Sequence, residues 1–443
     1  MMHVTHQWAK GESLTSQSIK PVFLVQLRRL GDREDVDLKD ILQVACSDFS
    51  NEDQLEIIDY ISKKSGEGVV FVLDGFDEYA PGQNPGNFIS RLIMKKIFCR
   101  SIAIVSSHPA ATRSFRRVAS KYIEVVGFFK EQIKEYINCI FKQNGEEERA
   151  QQLIHHLEQH PNLMNLCYLP LHCAMLVFLY EQGNATLPVT ETELYHDFTL
   201  SILIRSICKH SYSKNHLPRL NSFDHLTCDQ RKIFDKICKL AFQATITSQQ
   251  IFKKTELDQI CANDSPTAVE GSLGLGLVVI DHSFVRYGLD ETYTFLHLTL
   301  QEYLASVHIA GLSESEQTSI VSRHCKDKHL RVTWRFLFGI LDYSKESTVK
   351  LFMLILDATD HLLHIQCAYE SQHSAACTDV LQRHKYGLYI SNIGPFDLAC
   401  ITYVLKTAKY ITIELDFNNC NFSADDAVAL LKGVGDHQLS LTV

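Results

Sequence analysis

The sequence predicts a multidomain chain, α/β at its N-terminal end and α-helical over most of the remainder. Three observations predict this. An apolar run, Gly68-Val69-Val70-Phe71-Val72-Leu73-Asp74-Gly75-Phe76-Asp77-Glu78, ends abruptly in acid. From about Lys130, apolar residues recur at three- and four-residue steps in place of alternating strand and helix patterns. Near the C-terminal end, Leu415-x-Phe417-x-x-Cys420-x-Phe422 has the spacing of a leucine-rich-repeat strand.

Composition sets the outer bounds. The chain has 443 residues, 45% of them hydrophobic, enough for several cores. A net charge of −9 with mixed signs argues against a nucleic-acid-binding protein and provides no polybasic membrane anchor. Leu273 to Ile280 is among the longest apolar runs, well short of the roughly 18 residues of a bilayer span. The first residues lack the basic, apolar and cleavage regions of a signal peptide. Fourteen cysteines are scattered without a Cys-x-x-Cys pair, which predicts reduced, mostly buried thiols and a cytoplasmic location.

In chain order, Pro21 to Leu27 reads as a strand and Leu55 to Lys63 as a helix. Val69 to Leu73 is β-branched-rich, the composition of a parallel strand buried on both faces. Ser101 to Ser107 reads as a strand ending in hydroxyls, and Tyr122 to Val126 as a short fourth one. Strands at helix-length intervals imply a parallel sheet. Ala80 to Asn87 is rich in turn residues. Lys130 to Phe141 and Glu146 to Gln159 read as amphipathic helices. Leu169 to Tyr180, nearly all apolar, reads as a buried helix opened by Pro170, since proline suits a first turn. Gly183 to Pro188 reads as a linker. Residues 189–310 are mainly helical, with a hairpin pattern in Gly271 to Ile280 and Phe284 to Thr294; residues 311–400 form a further helical block. Ala427 to Leu431 suits a repeat helix, and Leu439-Ser440-Leu441 begins a second repeat strand.

Asp74 falls where a parallel strand emerges at its carboxyl end, the sheet edge at which α/β proteins bind ligands. A carboxylate there can hold a Mg²⁺ that bridges nucleotide phosphates, and Asp77 and Glu78 follow closely enough to position a water. That is the form of a Walker B element. Ser107 and His108 end the next strand; taken alone they suit either a phosphate sensor or a plain loop. His297, flanked by Phe295, Leu296 and Leu298, taken alone reads as a core histidine. There is no His-x-x-Glu-His, Cys/His ligand spacing or Gly-x-Ser-x-Gly elbow, so neither a transition-metal site nor a serine hydrolase is predicted.

Taken in order, these motifs resemble the NACHT family of signal-transducing P-loop ATPases, specifically NOD-like receptors. Leu73 to Glu78 is similar to the family's extended Walker B. Ser106-Ser107-His108-Pro109 occupies the sensor-1 place, usually Thr-Ser-Arg-Pro. Val125 to Phe128 resembles the exit strand into a helical domain, and Leu169-Pro170-Leu171-His172-Cys173 the adenine-side proline motif. Phe295 to Ala305 is close to the winged-helix signature, and Tyr369-Glu370-Ser371-Gln372 resembles a feature of the second helical domain. The resemblance implies a partial P-loop NTPase sheet over 1–129, a helical domain over 130–187, a winged helix over 188–306, a second helical domain over 307–408 and the start of a leucine-rich-repeat solenoid over 409–443. It implies ATP or ADP with Mg²⁺ as cofactor. Asp74 would hold the metal and Asp77 and Glu78 would serve catalysis. Ser107 and His108 would sense the γ-phosphate, Pro170 would touch adenine and His297 the β-phosphate. It further implies homo- or hetero-oligomers with NACHT relatives, and an unknown ligand sensed by the repeats.

The sequence departs from the family in two places. His108 stands where the family has arginine, whose charge is permanent and forked. No Gly-x-x-x-x-Gly-Lys-[Ser/Thr] loop occurs, nor any Gly-Lys dipeptide. His3 to Lys10, with Trp8, resembles the end of the helix that follows that loop, so the loop would fall before Met1. The expectation is a chain that binds and hydrolyses ATP poorly. Two alternatives are a non-catalytic regulator that pairs with full-length relatives, and a fragment of an ordinary ATP-binding receptor.

Overall fold

The computed structural model describes residues 6, 8, 10, 21–31, 33–46, 49–107, 115, 118–123, 125, 127–183, 187–210, 222–253, 276–281, 292–384, 388–389, 394–407, 413–416 and 439–442. These fall into two compact units, the first covering the chain up to Val125 and the second most of the chain beyond it.

In the first unit, β1 (Val22–Gln26), β2 (Val70–Asp74) and β3 (Ile102–Val105) form a parallel sheet with β2 in the middle. Phe71 and Leu73 of β2 pack with Phe23, Val25, Ile41 and Leu42. Val70 and Val72 pack on the opposite face with Val22, Ile104 and Trp8. The central strand is therefore buried on both sides, as its continuous apolar run predicts. Helices α1 (Leu38–Ala45) and α2 (Asn51–Lys63) each begin in a reciprocal capping box, Asp37 with Asp40 and Ser50 with Asp53. The predicted turn segment forms a short 3₁₀ turn, Ala80–Gln83, before α3 (Phe88–Ile93), which Asn87 caps. His6 and Trp8 are helical, in keeping with the predicted helix end. The described residues of the expected fourth strand are not in one: Tyr122, Ile123 and Val125 lie outside any strand and their side chains are exposed. Strand propensity measures packing on a pleated neighbour, and composition alone does not supply that neighbour.

In the second unit, α4 (Lys130–Gln143), α5 (Glu147–Gln159), α6 (Pro161–Leu166), α7 (Pro170–Glu181), α8 (Glu191–His210) and α9 (Cys228–Ile246) surround one apolar core. Pro170 stands in the first turn of α7, where its missing N–H leaves no bond unmade. The predicted hairpin is present as β5 (Val278–Asp281) antiparallel to β6 (Thr292–Phe295). A strand the sequence pattern did not reveal, β4 (Phe252–Lys253), flanks β6 on its other side. The chain then enters α10 (Leu298–Ala310).

A second apolar core is built from α11 (Glu314–His324), α12 (Arg331–Ile340), α13 (Glu346–Ala358), α14 (His361–Ser371), α15 (Ser374–Arg383) and α16 (Pro395–Thr407). Beyond it β7 (Leu388–Tyr389), β8 (Ile413–Asp416) and β9 (Leu439–Thr442) form a parallel sheet with Leu388, Leu415 and Leu441 in register. The expected repeat positions Phe417, Cys420 and Phe422 and the helix at Ala427 to Leu431 lie outside the described residues.

Helix α12 approaches the start of α8 so closely that a Cβ on Gly339 would overlap the Thr192 side chain. Gly339→Ala is expected to destabilise the protein by on the order of 1–3 kcal/mol through overpacking, read as a lower denaturation midpoint at an unchanged denaturant slope.

Candidate functional site

Asp74 closes the central strand, in register with Gln26 of β1. On the other side β3 ends at Val105, paired with Leu73. The next residue, Ser106, therefore stands beside Asp74, and its hydroxyl donates to Asp74 Oδ1 at 2.5 Å. The Gly75 N–H donates to Ser106 Oγ at 2.9 Å. With its oxygen already accepting, the Ser106 proton is committed to the carboxylate. The Ser106 backbone is held too: its N–H donates to the Leu73 carbonyl at 3.0 Å and its carbonyl accepts from the Phe76 N–H at 2.9 Å.

Gly75 takes the left-handed conformation, φ 76° and ψ 55°, that turns the chain into the 3₁₀ segment Phe76–Glu78. Phe76 is fully buried and meets Phe115 edge-on, ring centroids 4.8 Å apart, while Asp77 faces solvent. Of Glu78 only the backbone is described, and His108 lies outside the described residues. Ser107 follows in the loop, partly buried. It is thus Ser106, rather than Ser107, that touches Asp74. The strand register identifies it, because one step beyond Leu73 and Val105 lie Asp74 and Ser106.

In the second unit, Pro170 is exposed at the start of α7. His297 is the N-cap of α10, and its Nδ1 accepts from the Thr299 N–H at 3.2 Å. With Nδ1 accepting, the ring hydrogen belongs on Nε2. Crowding by neighbouring groups, and then nearby His172, hold its pKa below the ordinary histidine value, so the neutral donor form prevails at neutral pH. The residue reaches solvent, in contrast to the core position its apolar neighbours suggest.

Residues 1–144 match the model of the NACHT domain. Protein NLRC5 of Ictalurus punctatus is 24% identical across 95% of this chain and 27% of its own length. The human NACHT, LRR and PYD domains-containing protein 12 is 24% identical across 63% of the chain and 27% of its own length. The NACHT, LRR and PYD domains-containing protein 3 of Macaca mulatta is 22% identical across 76% and 33%. Residues 1–144 are a NACHT domain, and the chain is similar to proteins of the NOD-like-receptor type. It spans about a third or less of the length of these curated relatives. No helix among the described residues is long and apolar enough to cross a membrane.

Sequence reasoning missed a buried polar cluster in this NACHT protein. Glu191, the first residue of α8, meets Arg335 Nη2 at 2.6 Å through Oε2 and His172 Nε2 at 3.3 Å through Oε1. Glu370 of α14 accepts from the Glu191 N–H at 3.2 Å, the Thr192 N–H at 2.9 Å and the Thr192 hydroxyl at 2.6 Å. It thereby caps α8 from far along the chain. Burial would raise the Glu191 pKa, but Arg335 and then His172 hold it below the ordinary value. Burial, and then the Glu191 charge, push Glu370 up to about 7. Glu302 of α10 is also buried; desolvation raises it to about 8 against the pull of Arg335. The available signal was Arg335, a charge inside the apolar run Val332 to Phe338.

Glu302 binds its proton more tightly folded than unfolded. Its contribution is fully present below its ordinary value of 4.5 and is lost as pH rises toward about 8. Glu302→Gln is therefore expected to stabilise the protein at pH 8 by on the order of 1–3 kcal/mol and to flatten the alkaline limb of a Tm–pH curve. His364 acts in the opposite sense. Its Nδ1 lies 2.8 Å from His384 Nε2, and burial followed by the neighbouring histidines pushes it down to about 3. Its contribution is present above 6.5 and lost as pH falls, so His364→Gln should flatten the acid limb. Ser106→Ala leaves the Gly75 N–H without its acceptor. A loss of about 1–2 kcal/mol is expected by denaturant titration.

Proposed function

We propose that this chain is a nucleotide-gated signalling protein of innate immune sensing, whose 443 residues hold ATP weakly and do not turn it over. The observation that carries the reading is Asp74 at the carboxyl end of the central parallel strand, fixed by the Ser106 hydroxyl. An oxygen-only donor of this kind suits Mg²⁺, which binds through one or two carboxylates plus substrate phosphates. One Asp74 oxygen is engaged by Ser106, and the other is the metal ligand in this reading. Mg²⁺, when bound, would neutralise charge on the phosphates.

Asp77 and Glu78 are the residues proposed to orient water, Ser107 and His108 to face the γ-phosphate, and Pro170 to touch adenine. His297 is assigned the β-phosphate, a role that its neutral Nε2–H donor supports. The proposed weakness follows from the same chemistry. Without a glycine-rich loop and its lysine, an acidic cluster opposes a triphosphate rather than cradling it. A helical domain over 130–187, a winged helix over 188–306, a second helical domain over 307–408 and a leucine-rich-repeat start over 409–443 complete the reading. The parallel β7–β9 sheet supports the last of these. We place the protein in the cytoplasm, in homo- or hetero-oligomers with NACHT relatives.

Titration with fluorescent ATP and Mg²⁺ is expected to show no saturation in the micromolar range. Micromolar affinity that Asp74→Asn abolishes would overturn the weak-binding reading while supporting the site. Micromolar affinity indifferent to Asp74→Asn would overturn both.

A further inference from the structure

The second unit contains two apolar cores, one lying between Ile133 and Ala305 with Phe336 added, the other between Ile309 and Leu405. Along the start of α8 the two meet through polar groups, with Phe396 of α16 packed against both cores beside Arg335. Glu370 of α14 caps α8 through the Glu191 and Thr192 N–H groups. Arg335 of α12 pairs with Glu191. The Tyr369 hydroxyl donates to the Val189 carbonyl at 3.1 Å, just ahead of α8. Gly339 lies against Thr192, with no room for a Cβ between the helices.

We infer that this seam is a latch, a polar joint whose opening frees the start of α8 from α12 and α14 while both apolar cores stay folded. Three features favour a latch over simple cement. Every polar group in the joint has a good partner in water, so opening leaves none of them orphaned. A buried ion pair adds little net stability, because desolvation offsets most of its attraction, yet it fixes geometry strictly. The close approach at Gly339 and Thr192 makes the contact all-or-none, since a small separation breaks the cap, the ion pair and the packing together. The aromatic contact of Phe336 with Tyr303 of α10, ring centroids 5.4 Å apart, sets the hinge side, where α12 remains anchored to the first core. The inference concerns the helical unit and does not depend on the nucleotide reading.

The test is amide hydrogen exchange on the full chain without nucleotide, comparing wild type with Glu370→Ala and Glu370→Gln. Peptides covering Val189 to Leu194 are expected to exchange at least tenfold faster in Glu370→Ala. Peptides from the interiors of α10 and α14 should keep wild-type protection. Glu370→Gln, which retains an acceptor oxygen, should restore most of the protection at the start of α8. Faster exchange spread uniformly over both cores would overturn the inference, because Glu370 would then be a general stability element. Unchanged exchange at the start of α8 in Glu370→Ala would overturn it as well. If Glu370→Ala fails to fold, Thr192→Ala, which removes one donor and leaves the cap amides, takes its place with the same two readings.

Discussion

How the two cores of the helical unit meet depends on two buried carboxyl groups that divide one guanidinium and one helix end between them. Glu191 takes Arg335, and Glu370 takes the N-terminal amides of α8. Each carboxyl group thus has its own source of positive potential, one a full charge and the other the helix dipole with its open N–H groups. Exchange of these roles is prevented by the backbone, since Glu191 belongs to the helix whose end Glu370 caps. With Glu302 kept neutral by burial, three acids and one arginine coexist where apolar groups would otherwise be required. The position of α12 and α14 relative to α8 follows from that arrangement.

The α/β unit rests on a simpler constraint. A strand buried on both faces has no polar side chain until it leaves the sheet, so its first acid marks the sheet's edge. Asp74 is that acid, and the hydroxyl beside it comes from the neighbouring strand by register alone. The left-handed Gly75 then returns the chain under the sheet, so that Phe76 is buried and Asp77 exposed within one turn.

Much of this is legible in the sequence because it is local or periodic. The three parallel strands, the helices α4, α5 and α7 and the β5–β6 hairpin follow from apolar spacing and turn residues, and Pro170 marks its helix start. The part that is not legible is long-range. The described residues of the fourth strand expected at Tyr122 are not in a strand, because propensity does not specify a partner. Strands β4 and β7, two residues each, are too short to show a period. The sensor-1 motif holds both Ser106 and Ser107, and only the register of β2 with β3 shows that Ser106 stands beside Asp74. Glu370 belongs to a family-like motif, but its partner in α8 lies 178 residues away, beyond the reach of spacing arguments. His297 reads as core from its apolar neighbours, whereas the start of a helix places it at the surface as a cap.

The burial of the Glu191–Arg335 pair also determines what the joint can respond to. Exposed pairs such as Lys63–Asp59 and Arg100–Glu67 lie in water, where mobile ions screen them over roughly 8–10 Å at physiological ionic strength. The buried pair, with Glu191 only 3% exposed, is shielded from those ions by the protein itself. Added salt therefore weakens the surface pairs far more than it weakens the joint, which holds its geometry across ionic strengths that screen the exposed charges.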